Sequence, residues 1–190
     1  MKVFPILALI IGMIVLTPKY PTIYIALMFG MIGDLFLLSF DKKFFFVGAS
    51  AFLVQHLFNI YNIYSTSVFE FPYYILGIYA GLMVVFFIAS YFLLKKFAST
   101  PFLALGAIYG STLVLNVIYG SIMASQTNNM LYLLFVFGYI FFMISDGFIA
   151  QKRFIKPFGQ IQFVVMSTYY VAQYLLFLGF MLRFATPLIG

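Results

Sequence analysis

The charges of this chain fall almost wholly in short breaks between long apolar runs, and no other feature limits its fold as much. Seven runs cover most of its 190 residues: approximately Val3 to Leu16, Pro21 to Phe40, Phe44 to Tyr64, Pro72 to Leu94, Pro101 to Ala124, Met130 to Ala150 and Pro157 to Leu182. Apolar segments near 20 residues match the thickness of a bilayer. With 65% hydrophobic and 7% charged residues and a mean hydropathy of +1.13, the chain is predicted to be an all-α polytopic membrane bundle of about seven transmembrane helices. Pro5, Pro21, Pro72, Pro101 and Pro157 lie at or near the starts of runs, where a missing amide hydrogen costs little. Connections of a few residues leave no soluble domain of useful size, so a single transmembrane domain over 1–190 is expected.

Basic residues divide unequally between alternate loops. Lys2, Lys42, Lys43, Lys95, Lys96, Lys152, Arg153 and Lys156 fall on one side, against Lys19 and Arg183 on the other. The positive-inside rule then places the amino terminus in the cytoplasm. The net charge of +6 follows from this topology, with anionic lipid contact as a further effect, and no nucleic-acid partner is expected. Met1 to Leu16 also has the basic start and short apolar core of a signal peptide, but Thr17-Pro18-Lys19 is a poor cleavage site, so a retained first span is expected. Absence of cysteine removes disulfides, thiolate metal sites and a cysteine nucleophile.

Only four acidic side chains occur, and two of them, Asp34 and Asp146, sit inside apolar runs. A carboxylate at membrane depth costs several kcal/mol at face value, which marks both as candidates for chemistry. Their settings nearly repeat 112 residues apart: Phe29-Gly-Met-Ile-Gly33-Asp34-Leu-Phe36 and Phe141-Phe-Met-Ile-Ser145-Asp146-Gly-Phe148. Ala51-Phe-Leu-Val-Gln-His56 lines up loosely with Thr168-Tyr-Tyr-Val-Ala-Gln173 in the same order. A parallel 3+1+3 repeat follows, with halves of about 1–64 and 101–182 and a linker helix of about 72–94. At ~1.5 Å per helical residue, both aspartates lie roughly 7 to 11 Å inside the cytoplasmic boundary. His56 lies about 20 Å in, with Gln55 beside it and Asn59 a turn further, while Asn116 and Gln173 are similarly deep. Together these residues are expected to wall a polar cleft.

Each of these residues has a plainer reading. The aspartates could be structural hydrogen-bonding groups, and a lone buried histidine is often a core residue. A metal shared by Asp34, Asp146 and His56 is disfavoured by a depth gap of ~9 Å, and the sequence shows no His cluster, Gly-x-Ser-x-Gly elbow or Walker loop. If the two carboxyls share a poorly hydrated cleft, they cannot both ionise readily, and one could donate a proton while the other stays anionic. Tyr169 and Tyr170 lie one turn before Gln173, where a phenol could point into the cleft. Gly48, Ala49 and Ser50, and Gly106 with Gly110, read as close helix packing.

Gly33-Asp34-Leu-Phe-Leu-Leu38, Gly48-Ala-x-Ala51-Phe52 leading to His56-Leu57, Ser145-Asp146, and Tyr169-Tyr170-x-x-Gln173 together resemble the YhhN-like lysoplasmalogenase family of multispanning membrane proteins. The resemblance runs in order from about Lys2 to Gly179. Two departures stand out: the family commonly has eight spans, with Lys2-x-x-Pro5 matching the opening of its second, and Asn59 stands where a tyrosine commonly follows the histidine. The resemblance implies hydrolysis of the vinyl ether bond of lysoplasmalogens to a fatty aldehyde and a glycerophospho-base, with no metal or organic cofactor. Asp34 and Asp146 are the expected catalytic residues, with His56, Asn59, Asn116, Ser145, Tyr170 and Gln173 expected as supporting or substrate-binding residues. The substrate partner would be a lysophospholipid in the bilayer, and the expected location is the bacterial inner (cytoplasmic) membrane. A small-solute or proton-coupled transporter and an intramembrane aspartyl protease are the alternatives. Small sugar carriers share the 3+1+3 layout but place prolines within their spans, and the protease's other signatures are not visible.

Overall fold

A computed structural model describes residues 3–16, 19–39, 41–65, 73–96, 98–156 and 159–185. Every regular element among them is an α-helix: α1 (Val3–Leu16), α2 (Pro21–Leu37), α3 (Lys42–Ser65), α4 (Tyr74–Leu94), α5 (Thr100–Thr127), α6 (Tyr132–Phe154) and α7 (Ile161–Ala185). Five are long and apolar enough to cross a membrane, over Lys42–Ser65, Tyr74–Leu93, Thr100–Thr127, Tyr132–Phe154 and Ile161–Phe184. The other two, α1 and α2, are shorter apolar helices. The chain is thus an all-helical, multi-pass membrane protein.

Several helices overrun the apolar runs, because the backbone ladder does not stop where hydropathy falls. Helix α6 continues to Phe154 and takes Lys152 and Arg153 into its last turn, where cations meet the negative end of the helix dipole. Pro21 and Pro101 sit in the first turns of α2 and α5. Lys2, Phe40, Pro72 and Pro157, at the edges of expected runs, lie outside the described residues.

Side chains write the turns. Helix α5 stops at Asn128, whose φ of 48° is in the left-handed region that asparagine tolerates. Asn129 Oδ1 then accepts from the Leu131 N–H at 3.0 Å, starting the turn into α6. Before α3, Asp41 Oδ1 accepts from the Lys43 N–H at 2.7 Å and Asp41 O from the Phe45 N–H at 3.0 Å. Asp41 is therefore an N-cap, and its carboxylate is explained by local structure. Replacing it with alanine is expected to cost about 1 kcal/mol of stability; an unchanged thermal unfolding midpoint for Asp41→Ala would count against that role.

The chain divides into two compact units, Met1–Phe69 with Phe177–Gly190, and Glu70–Leu176. In the first, α2 and α3 cross with almost no separation. A Cβ added at Gly33 would lie 2.6 Å from the Phe52 ring, and one at Gly48 would lie 3.1 Å from the Gly33 carbonyl oxygen. Small residues permit such approach where lipid offers no hydrophobic drive between helices. Gly12 of α1 meets the Phe177 ring, and Tyr20 packs on Phe184 with centroids 4.3 Å apart.

In the second unit α5 packs against both α4 and α6. Gly110 sits against the Phe86 ring, Gly120 against Val136 and Gly138 against Leu176. Gly106, expected from its spacing to be a packing residue, has no neighbour within 4 Å of an added Cβ. Helix α4 turns Ile75 inward and holds Thr112 Oγ1 at 3.0 Å from the Tyr79 hydroxyl. Most of its other side chains are exposed apolar surface of the kind lipid covers. The hydroxyls of α5 turn onto their own helix: Ser111 and Thr112 donate to Ile108 O, Ser121 to Val117 O and Thr127 to Met123 O.

Candidate active site

Each unit carries one of the two intramembrane aspartates. In the first, Asp34 is fully enclosed, immediately after the Gly33 contact with Phe52. Helix α3 opposes α2 with a buried polar stripe of Gln55, His56, Asn59 and Asn62, spaced to share one helix face. Thr22 donates to Asn62 Oδ1 at 2.5 Å, and the Phe52 and His56 rings run nearly parallel with centroids 6.5 Å apart. The Gln55 amide packs directly on Gly30, where an added Cβ would displace it. Gln55 Oε1 is buried with no hydrogen-bond donor.

In the second unit the Tyr109 hydroxyl of α5 donates to Asp146 Oδ2 of α6. Both residues are half-buried, whereas Asp34 is completely enclosed. The Tyr139 and Tyr169 phenols lie close enough to Tyr109 to interact with it electrostatically, so tyrosines of α5, α6 and α7 gather on the phenol side of this contact. Ser145, next to Asp146, donates to the Val165 carbonyl at 3.1 Å and fixes α6 on α7 at this level. Phe142 meets Tyr169 edge-on at 5.6 Å.

Gln173 Nε2 donates to the Tyr169 hydroxyl at 3.1 Å. The phenol that meets Gln173 is thus Tyr169, while Tyr170 is half-buried and rests against the Tyr169 ring at 5.9 Å. Asn116 donates to the Thr112 carbonyl of its own helix at 2.9 Å. The amide oxygens of Asn116 and Gln173 are buried and accept no hydrogen bond from the described residues.

Sequence reasoning singled out Asp146, Ser145 and Gln173 but missed Tyr109 and Tyr139. A signal was present. Asp146 lies eight residues before the end of α6, Tyr109 nine after the start of α5 and Tyr169 eight after the start of α7. At 1.5 Å per residue all three are about 12 to 14 Å from helix ends that adjoin lysine-bearing stretches of chain. Among the described residues no group of three His, Cys, Asp or Glu side chains gathers where a metal ion could be held.

A multi-pass helical protein with a phenol-bonded carboxyl inside its spans belongs to a class that works on, or within, the bilayer. The particular family is shown by comparison: the YhhN family matches residues 1–180, and the chain belongs to it. It is also similar to the human lysoplasmalogenase TMEM86A, 30% identical over 173 residues that make up 89% of this chain and 69% of the relative. No solved structure matches. These findings bear out the family resemblance read from the aspartate and histidine motifs, and the expectation of an enzyme of the YhhN family.

Proposed function

We propose that this protein hydrolyses the vinyl ether bond of lysoplasmalogens, releasing a fatty aldehyde and a glycerophospho-base. The observation that carries this reading is an Asp146 carboxyl placed within the spans and held by a phenol, in a chain of this family that resembles a lysoplasmalogenase over most of its length.

The chemistry fits the side chains. A vinyl ether is not an ester, so no serine or cysteine nucleophile is required. Proton transfer to the alkene carbon remote from oxygen gives an oxocarbenium ion. Water then bonds to the carbon attached to oxygen, and the hemiacetal collapses to aldehyde and a free glycerol hydroxyl, with one water consumed. The steps need a proton donor, an anionic partner and a water molecule, the combination that paired carboxylates supply in glycosidases. Asp34 and Asp146 are assigned these two acid–base roles. The amide oxygens of Asn116 and Gln173 are assigned to substrate hydroxyl groups or water, with His56, Asn59, Ser145 and Tyr170 in support.

The same proposal includes seven spans, a parallel repeat of about 1–64 and 101–182 around a linker of about 72–94, and a cytoplasmic amino terminus in a bacterial inner membrane. The distribution of lysine and arginine supports this topology. In both halves a small buried residue, Gly33 or Ser145, precedes the aspartate and touches the next helix of its pair.

Purified protein is expected to release aldehyde from a 1-alkenyl lysophospholipid and none from its 1-acyl analogue. Release from the acyl lipid would reassign it as an esterase. Failure on both lipids by a well-folded sample would remove the hydrolase reading and bring a transport assay forward.

A further inference from the structure

The Tyr109 contact bears on which proton-transfer role Asp146 can take. Starting from α7, Gln173 Nε2 donates to Tyr169, which leaves the Tyr169 proton to point away from that bond. Tyr169 and Tyr139 both lie within electrostatic range of Tyr109, and Tyr109 in turn donates to Asp146 Oδ2. In the Tyr109 contact the phenol is the donor and the Asp146 oxygen the acceptor. A phenol has one proton, and Tyr109 has committed it to Asp146. The one hydrogen bond that reaches the carboxyl from another helix in this group is the Tyr109 phenol of α5.

We infer that Tyr109 is a positioning residue that holds Asp146 as the proton-accepting carboxylate of the reaction, the member that takes a proton from the attacking water. This rests on the hydrolase reading above and deepens it, because that reading leaves the roles of the two aspartates interchangeable. The proton balance closes. The reaction's acid protonates the alkene carbon and becomes a carboxylate. Water forms its bond to the oxocarbenium carbon as Asp146 removes a water proton. During collapse Asp146 returns that proton to the departing glycerol oxygen, and the hemiacetal hydroxyl reprotonates the acid. Tyr109 keeps its own proton throughout and fixes the carboxylate plane, so that the other face of Asp146 addresses water. The role of acid then falls to Asp34.

The test compares native protein with Tyr109→Phe, Asp146→Asn and, as a control, Tyr174→Phe, whose side chain is exposed on α7. Tyr109→Phe is expected to lower kcat about 10- to 100-fold, the scale of a hydrogen bond to a charged group, with KM changed less than about twofold. Infrared spectra of protein carrying ¹³C-labelled aspartate provide a reading independent of turnover: the carboxylate band lost in Asp146→Asn should shift in Tyr109→Phe and stay in place in Tyr174→Phe. An unmoved band, a native kcat in Tyr109→Phe or a loss confined to KM would overturn the inference. If native protein releases no aldehyde, the hydrolase reading fails and the proton-accepting role fails with it. The infrared band still decides whether Tyr109 holds Asp146.

Discussion

Asp146→Asn protein that retains its fold is expected to release aldehyde from a 1-alkenyl lysophospholipid about 10²- to 10⁴-fold more slowly than native protein, the usual contribution of a positioned acid–base group. Asparagine suits the test because it keeps the size of the side chain and an oxygen for the Tyr109 hydroxyl to reach. It removes the charge and the capacity to accept a proton. Asp34→Asn should fall by a similar factor, for a different local reason: Asp34 is wholly enclosed beside the α2–α3 crossing, so its replacement removes an ionisable proton from a site without bulk water. Initial rates of aldehyde formation should be read on samples that elute as native protein does in gel filtration. Full activity in either variant would leave that aspartate a structural group and end the two-carboxyl mechanism.

Gly33→Leu is expected to destabilise the first unit strongly. A Cβ at this position would lie 2.6 Å from the Phe52 ring, and the rest of the leucine side chain would have to enter the same gap. Moving the helices apart would also open the neighbouring contact, where a Cβ at Gly48 would lie 3.1 Å from the Gly33 carbonyl oxygen. Overpacking of this kind costs about 1–3 kcal/mol in ordinary cores, and a rigid two-helix contact places the cost at about 3 kcal/mol or more. The measurement is the thermal midpoint in detergent, with Phe52→Ala added as a second change. The double variant should recover part of the loss, because the ring that opposes the new side chain is gone. A Gly33→Leu protein that melts as native protein does would contradict the close crossing of α2 and α3.

The sequence carried the helices more fully than the site. Prolines 21 and 101 mark helix starts because their missing amide hydrogens would be unpaired there in any case. Asp34 and Asp146 stood out because charge within an apolar run is costly. Tyr109 did not stand out, since it is one of 15 tyrosines in a chain with 27 phenylalanines, and nothing local distinguishes a phenol that meets a carboxylate from one that anchors at an interface. Only the packing of α5 on α6 makes that distinction. The glycines show the same limit: Gly106 and Gly110 share one motif, yet Gly110 lies against Phe86 and Gly106 faces open space. Spacing alone cannot say which side of a helix has a neighbour.

The hydroxyls of α5 have a consequence for how the protein is made. Ser111, Thr112, Ser121 and Thr127 each donate to a carbonyl three or four residues earlier in the same helix. Those hydrogen bonds lie within α5 and need no helix made after it. A newly made α5 can therefore enter the lipid phase with these four hydroxyls already satisfied, while its Tyr109 phenol awaits Asp146 of α6.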